Sequence, residues 1–341
     1  MSRILLCRFA STFAMVLACG CSDGDEPPSE TLTWQVIHEG LDAALLSVWG
    51  TRANDVWAVG GDTGAGDGPL VIHYDGTAWQ QLLTGREAGT LWWVFGFEAG
   101  PVYMGGDGGV ILRYEDGEFT ALQTPGQGTV FGIWGSSPDD LWAVGGASES
   151  EGGFAWRLSS NDTWEPEPSV PSDVTAQAAI WKVFGTSPND AWLVGSNGVS
   201  LHWDGDLLSP GDTGVGSSLF TVHASGERYA AVGGLASGII VEHEAGEWRN
   251  RTPEPLPVAL SGVCLDEEGG GFAVGSLGAV YRRGSDGWQE QDTGIAVDGN
   301  LHSVWLDPEG GIWAVGGQTY VEPLTDGVLI HGGKHHPSSD L

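Results

Sequence analysis

The chain has 341 residues, and its 45 acidic and 13 basic side chains give a formal net charge of −32. A surface this acidic repels phosphate backbones, which excludes nucleic acid as a partner. Hydrophobic residues make up 41% of the chain, and glycine (56 residues) and tryptophan (17 residues) are abundant, which indicates short packed strands joined by many tight turns.

Residues 1–20 have the features of a signal peptide. Arg3 and Arg8 supply the positive charge near its start. The apolar run over residues 9–18 is about ten residues long, which is too short to span a bilayer in the mature protein. We therefore expect the chain to be exported.

Two cysteines follow this run, Cys19 after an alanine and Cys21 after a glycine. A small residue before a cysteine resembles the lipobox of bacterial lipoproteins, which implies that Cys21, or else Cys19, carries diacylglycerol. The family's sorting rule implies the outer membrane, because Ser22 rather than aspartate follows Cys21. The alternative is an ordinary signal peptide with a chance cysteine, and hence a secreted or periplasmic protein. Residues 21–32 are expected to be a flexible tether, with lipid as the only membrane attachment.

Residues 33–333 contain seven copies of one unit. Each copy has a segment of the type Asp-Val-Trp-Ala-Val-Gly-Gly, with one short apolar strand before it and further strands after it. The segments begin at positions 54, 100, 139, 189, 227, 270 and 310. Units of four short strands, here named a to d, that repeat about every 40–45 residues are blades of a β-propeller. The sequence therefore predicts an all-β, seven-bladed β-propeller, and with Cys264 as its only cysteine it has no internal disulfide.

The last copy stops after its third strand, at Gly333, and lacks a fourth strand. A matching strand lies at the other end of the chain, because TWQVIH (33–38) precedes the first copy and its Trp34 corresponds to the tryptophan that opens strand d elsewhere. We expect this strand to pair beside residues 327–332 and close the ring, which removes the exposed sheet edges. Residues 334–341 are predicted to be a disordered tail, and the protein is predicted to be a monomer.

The repeats resemble two groups of propeller sequences. The Gly-Gly doublet that ends strand b resembles kelch repeats. The turn of the type Gly-Thr-Ser-Pro-Asn-Asp before strand b resembles secreted bacterial BNR-like and photosystem-assembly-factor-like propellers. This resemblance covers residues 33–333 and implies the fold, but propellers host many activities. The sialidase Asp-box, Ser-x-Asp-x-Gly-x-Thr-Trp, does not occur cleanly, which argues against a glycosidase.

A residue type that recurs in every blade is expected to be structural, whereas a functional site breaks the repeat. Strand c carries His or Arg in each blade, for which we predict a salt link or hydrogen bond within the blade. The tryptophans of strand b are predicted to pack between blades, with a sugar-binding platform as the alternative. The strand c residues are His73, Arg113, Arg157, His202, His243, Arg282 and His331. The strand b tryptophans are Trp57, Trp142, Trp192 and Trp313.

The features that break the repeat lie mainly in the b–c and d–a connections, which share one end of a propeller, here called the top face. Long loops on one face are where binding sites usually occur. Carboxylates among glycines in these loops would suit Ca²⁺, and no other cofactor is expected. Lys182 stands alone on an inner strand, where we expect it to pair with a carboxylate near the channel. The candidate binding residues are Asp62, Asp67, Trp93, Glu149, Glu151, Lys182 and Tyr320.

These features predict a non-catalytic binding or scaffold propeller at the cell envelope, which recognises a protein or glycan partner through its top-face loops. A propeller-type glycoside hydrolase or lyase is one alternative, but such hydrolases need paired carboxylates, and no such pair stands out. No catalytic residue is predicted, because no nucleophile-elbow, zinc-protease, phosphate-loop or dinucleotide motif is correctly placed. The resemblance to assembly-factor propellers implies a further alternative, a role in assembling an envelope complex.

Overall fold

The structure is a computed structural model that describes residues 32–64, 66–146, 152–159, 161–176 and 178–341. These residues form 28 β-strands in seven four-stranded antiparallel sheets. The sheets are the blades of a ring, and the predicted all-β, seven-bladed propeller is confirmed. In the part of the chain that the structure describes, no helix has both the length and the apolar character needed to cross a membrane.

Blades 1 to 6 each consist of four consecutive strands, and the first strand of each blade packs beside the first strands of its neighbours around the axis of the ring. Blade 1 contains β2 (Leu45–Arg52), β3 (Asp55–Asp62), β4 (Pro69–Tyr74) and β5 (Trp79–Gln81). Blade 2 contains β6 (Leu91–Gly96), β7 (Val102–Gly106), β8 (Ile111–Glu115) and β9 (Glu118–Ala121). Blade 3 contains β10 (Thr129–Ser137), β11 (Asp140–Gly146), β12 (Phe154–Leu158) and β13 (Trp164–Pro166).

The second half of the ring repeats this arrangement. Blade 4 follows the single-turn helix α1 (Ser172–Thr175) and contains β14 (Ile180–Ser187), β15 (Asp190–Gly195), β16 (Ser200–Trp203) and β17 (Leu208–Pro210). Blade 5 contains β18 (Leu219–Ser225), β19 (Arg228–Gly233), β20 (Ile239–Glu244) and β21 (Glu247–Asn250). Blade 6 contains β22 (Leu260–Leu265), β23 (Gly271–Gly275), β24 (Val280–Gly284) and β25 (Gly287–Glu290). Blade 7 contains β26 (Asn300–Leu306), β27 (Ile312–Gln318), β28 (Thr325–Gly332) and β1 (Trp34–Leu41).

The ring closes through β1, the N-terminal strand, which is the outer strand of blade 7. It pairs antiparallel with β28, with Trp34 opposite Gly332 and Val36 opposite Ile330. The Trp34 side chain is buried, and its ring meets the edge of the Phe272 ring of blade 6 at a centroid distance of 6.2 Å. The predicted pairing of the two chain ends is therefore confirmed.

The glycine at the end of strand b has a packing reason. A Cβ atom at Gly60 would collide with the backbone carbonyl of Ala44, which comes just before the inner strand of the same blade. In blade 7, a Cβ atom at Gly316 would collide in the same way with the carbonyl of Asn300. Strand b approaches the inner strand too closely for any side chain at this point, so the glycine recurs because the blade geometry recurs.

The basic residue of strand c lies directly opposite the aromatic residue of strand b in every blade. In blade 1 the rings of Trp57 and His73 stack at 4.0 Å, and Asp55 Oδ1 lies 2.8 Å from His73 Nε2. In blade 3 the Arg157 guanidinium lies 4.1 Å from the centroid of the Trp142 ring. The four strand b tryptophans are at most 7% exposed, so they pack between blades and cannot form a sugar platform.

The C-terminal segment after β28 contains no strand. The carbonyl of Asp340 accepts a hydrogen bond from the backbone N–H of Trp79 at 2.8 Å, and the carbonyl of Ser338 accepts one from its indole N–H at 3.1 Å. Residues 334–341, for which the sequence predicts a disordered tail, thus contact the outer strand of blade 1.

Candidate functional site

In all seven blades the inner strand carries a β-bulge near its top-face end. In β14, for example, the pairing with the second strand shifts between Ile180 and Lys182, which leaves Trp181 without a residue opposite. A bulge of this kind re-aims a side chain. The unpaired bulge residues of blades 2 to 7 line one cavity. The seven bulge residues are Leu46, Trp92, Phe131, Trp181, Phe220, Ser261 and His302.

This cavity, here called the axial cavity, has a volume of about 200 Å³. Because inner strands of six blades contribute to it, it lies on the axis of the ring, at the mouth of the channel on the top face. None of its lining residues is acidic, although acids outnumber bases 45 to 13 in the whole chain. The lining residues are Trp92, Phe131, Trp181, Lys182, Phe220, Thr221, Ser261, His302, Thr319 and Tyr320.

Blades 2 to 5 give the axial cavity an aromatic wall. The rings of Trp181 and Phe220 stack at a centroid distance of 4.8 Å, and Trp92 meets Phe131 edge to face at 5.4 Å. The indole N–H of Trp92 donates to Asp107 Oδ1 at 2.9 Å, which fixes the orientation of that ring. A rigid apolar wall with a few polar groups is the usual composition of a ligand-binding pocket.

Lys182 is the one cationic side chain in the lining of the axial cavity. Only 5% of the residue is exposed, and burial lowers the pKa of its amine to about 7. The amine Nζ donates to the backbone carbonyl of Phe131 at 2.5 Å and lies 3.8 Å from the centroid of the Trp93 ring. Among the described residues, a carbonyl oxygen and an aromatic face contact the amine, and none of the ion pairs supplies the carboxylate that the sequence predicts for Lys182.

His302 faces the same cavity from blade 7. Its Nδ1 lies 2.6 Å from the carbonyl oxygen of Leu46, which can only accept, so Nδ1 carries the proton and donates. Burial, together with the nearby charge of Lys182, lowers the pKa of His302 to about 4. The ring is therefore neutral at physiological pH, and its Nε2 is a hydrogen-bond acceptor.

Exposed apolar side chains occupy the b–c loops of blades 5, 6 and 7. Leu235, Leu277 and Val321 are 73%, 79% and 75% exposed, and together with Tyr320 they form what we call the apolar rim. The Tyr320 hydroxyl lies 2.9 Å from Ser276 Oγ, which joins two of these loops. Leu277 has a φ of +59°, in the left-handed region that bulky residues rarely adopt. Gly108 and Asn197 have the same left-handed conformation in the corresponding turns of blades 2 and 4, so the turn requires it, and it is the exposure of these apolar side chains that makes the rim a candidate contact surface.

The two described carboxylates among the sequence candidates, Asp62 and Asp67, do not line the axial cavity. Asp62 accepts hydrogen bonds from the backbone N–H groups of Gly64 and Gly89, both at 2.8 Å, and so ties its own loop to the connection that leads into blade 2. Asp67 is exposed. The described residues contain no group of three or more His, Cys, Asp or Glu side chains that could hold a metal ion. The sequence candidates outside the described residues are Glu149, Glu151, Cys19 and Cys21.

Of the residues predicted from the sequence, the structure brings Lys182 and Tyr320 together in one cavity, with Trp93 beneath the lysine amine. The indole N–H of Trp93 donates to the carbonyl of Ile133 at 2.9 Å, so its ring supports the lysine from between blades 2 and 3. The sequence analysis missed the aromatic wall. One signal could have found it, because each inner strand has two buried apolar residues three positions apart, such as Ile180 and Val183. A regular strand cannot place such a pair on one face, so the spacing indicates a bulge.

No protein-family model matches the sequence, and no curated protein is significantly similar to it in sequence. Solved structures with the same fold are numerous. The structure of YCF48 bound to D1 peptide is 13% identical, with a TM-score of 0.64, and the match covers 89% of this chain and 97% of that one. Virginiamycin B lyase from Staphylococcus aureus is 13% identical, with a TM-score of 0.68 and coverage of 87% and 99%.

A third similar structure is the WD40 propeller domain of Doa1, with 14% identity, a TM-score of 0.64 and coverage of 89% of this chain and 97% of that one. At these identities the similarities establish the fold alone. The class of the protein is therefore a seven-bladed β-propeller with an aromatic-walled cavity at its axis.

Proposed function

We propose that this protein is a non-catalytic binding propeller of the bacterial cell envelope that captures a protein partner on its top face. The observation that carries the proposal is the axial cavity with its aromatic wall, bordered by the apolar rim of blades 5 to 7. Exposed apolar groups gathered beside a preformed cavity are typical of a surface that a partner covers.

Two further observations support a protein as the partner. Similar folds include the WD40 domain of Doa1 and YCF48, whose structure was solved with a bound peptide. The net charge of −32 favours a partner with a basic surface around its apolar anchor, so we expect capture to weaken as salt rises. A glycan that stacks on the aromatic wall is the alternative ligand.

The composition of the axial cavity favours binding over hydrolysis. Glycoside hydrolysis uses two carboxyl groups held at a defined separation. All ten cavity-lining residues belong to the described part of the chain, and none is Asp or Glu. A binding site needs only shape and a few polar groups, which the cavity has.

Anchoring to the envelope is part of the proposal. Cys21, or Cys19, would carry a diacylglycerol group, and two or more acyl chains suffice for stable membrane attachment. Residues 21–32 would then act as the tether between the membrane and β1, which begins at Trp34. We expect this attachment to be at the outer membrane.

The experiment is site-specific photo-crosslinking in cells, with a benzophenone amino acid in place of one leucine at a time. Position 277 lies on the apolar rim, and position 207 is its control, an exposed leucine in a c–d turn at the opposite end of the ring. We expect a protein partner to cross-link at position 277 and not at position 207. We expect the double variant Trp181→Ala, Phe220→Ala to lose that product.

Three results would count against the proposal. Equal cross-linking at both positions would mean that the top face is not the binding face. If the product at position 277 still forms in the Trp181→Ala, Phe220→Ala variant, the partner does not bind through the axial cavity. A cross-linked saccharide without peptide would replace the protein partner by a glycan.

A further inference from the structure

The most unusual chemical feature of the axial cavity is a buried amine without a counter-ion. The ion pairs among the described residues do not include Lys182, and no acid lines the cavity. Removing an ammonium group from water costs much free energy unless an anion accompanies it. The inner-strand residues at the equivalent position of the other blades are Ser47, Trp93, Gly132, Thr221, Gly262 and Ser303, and none of them is charged.

The amine also has hydrogen-bonding capacity left over. A protonated lysine has three N–H donors, and Lys182 uses one on the carbonyl of Phe131. The Trp93 ring lies against the amine on one side. At least one N–H therefore remains for a ligand, and a carboxylate is the group that pairs with it most strongly.

The walls define the rest of the ligand. A cavity of about 150 Å³ with apolar walls is large enough to bind benzene. The axial cavity measures about 200 Å³ and has the stacked rings of Trp181 and Phe220 on one side, so it has room for one ring or branched apolar group and a carboxylate. His302 adds a hydrogen-bond acceptor from blade 7, which suits the amide N–H next to a terminal carboxylate.

We propose that the axial cavity binds a carboxylate carried next to an aromatic or large apolar group, as at the C-terminal residue of a partner chain. This inference rests on the proposed function and specifies the part of the partner that is held. The carboxylate pairs with Lys182, and the apolar group packs on the aromatic wall. A small aromatic acid has the same chemistry, and the experiment distinguishes the two sources.

The pairing makes binding depend on pH. An anion beside Lys182 stabilises its protonated form, so its pKa is higher in the complex than in the free protein, where it is about 7. Affinity therefore falls as pH rises above 7, by up to about tenfold per pH unit, until the pKa of the complex is reached. The other titratable lining groups are His302, which stays neutral because its pKa is about 4, and Tyr320, whose hydroxyl meets Ser276.

The test is a titration of the full chain in detergent, followed by the change in tryptophan fluorescence, to which Trp92 and Trp181 of the aromatic wall contribute. The probes are acetyl-Gly-Gly-Phe with a free carboxylate, the same peptide as its amide, and 3-phenylpropanoate. At pH 6.5 we expect the acid to bind at least about tenfold more tightly than the amide. Lys182→Met should abolish this preference, and Lys334→Met, at the only other lysine in the chain, should retain it.

A second measurement does not depend on any variant. Calorimetry of the acid peptide at pH 8 in two buffers of different ionisation enthalpy should reveal proton uptake on binding, because Lys182 becomes protonated in the complex. Equal affinity for acid and amide, or binding without proton uptake, would overturn the inference. Tighter binding of 3-phenylpropanoate than of the acid peptide would show that the ligand is a small aromatic acid and not the C-terminal residue of a partner chain. If no probe binds while cross-linking at position 277 still requires the aromatic wall, the carboxylate inference fails and the proposed function stands.

Discussion

The contact that closes the ring can be tested with one methyl group. Gly332 on β28 lies directly opposite Trp34 on β1, and an added Cβ atom would come within 2.8 Å of the indole ring. That separation is far below van der Waals contact, so the methyl group of Gly332→Ala must push the ring aside. Overpacking of this kind costs about 1–3 kcal/mol of unfolding free energy.

The same methyl group should be harmless once the indole is removed. Trp34→Ala by itself should lower the unfolding free energy by about 3–5 kcal/mol, because it removes a buried ring that contacts Phe272. The space it leaves can take the methyl group of Gly332→Ala. We therefore expect the double variant to be no less stable than Trp34→Ala, which is a coupling of about 1–3 kcal/mol between two residues near opposite ends of the chain.

Denaturant unfolding, followed by tryptophan fluorescence and by circular dichroism, measures all three variants and the parent protein. Val36→Ala is the control, because this partly exposed side chain lies on the same strand and should change stability by less than about 1 kcal/mol. If Gly332→Ala costs the same with and without Trp34, the indole does not lie over Gly332 and β1 does not close the ring as described.

Three other predictions follow from single features. Substituting both Cys19 and Cys21 by serine should release the protein from membranes, and a wild-type chain that takes up no labelled palmitate would show that it is secreted without lipid. His73→Ala should lower the unfolding free energy by about 1 kcal/mol and leave partner capture unchanged, because it removes one hydrogen bond within a blade. Loss of capture at unchanged stability would show that this histidine takes part in binding. Asp62→Ala should destabilise the protein by about 1–2 kcal/mol in thermal melts, because two backbone amides lose their acceptor. Asp67→Ala, at an exposed position, should leave the stability unchanged, and equal effects of the two variants would contradict this prediction.

The sequence alone determined the fold, including the way the ring closes. Each blade is a local unit with its own turn signals, glycine and strand pattern, so one repeat can be recognised without knowing where the others lie. Closure was predictable because the strand that contains Trp34 matches the one strand missing from the last repeat. The His and Arg residues of strand c were predicted to be structural because they recur in every blade, and His73, Arg157 and His202 do pair with an aspartate of their own blade.

The site was determined mainly by tertiary structure. Lys182 and Tyr320 could be selected from the sequence because each breaks the repeat, but Asp62 and Asp67, the described carboxylates chosen beside them, do not line the cavity. The aromatic wall depends on the bulge in each inner strand, which turns residues such as Trp181 toward the axis. The sequence analysis selected the next residue of that strand, Lys182, and did not select Trp181. The cavity itself combines side chains from residue 92 to residue 320, contributed by six blades. Such a site exists only after the ring has closed, because no single repeat contains more than a small part of its wall.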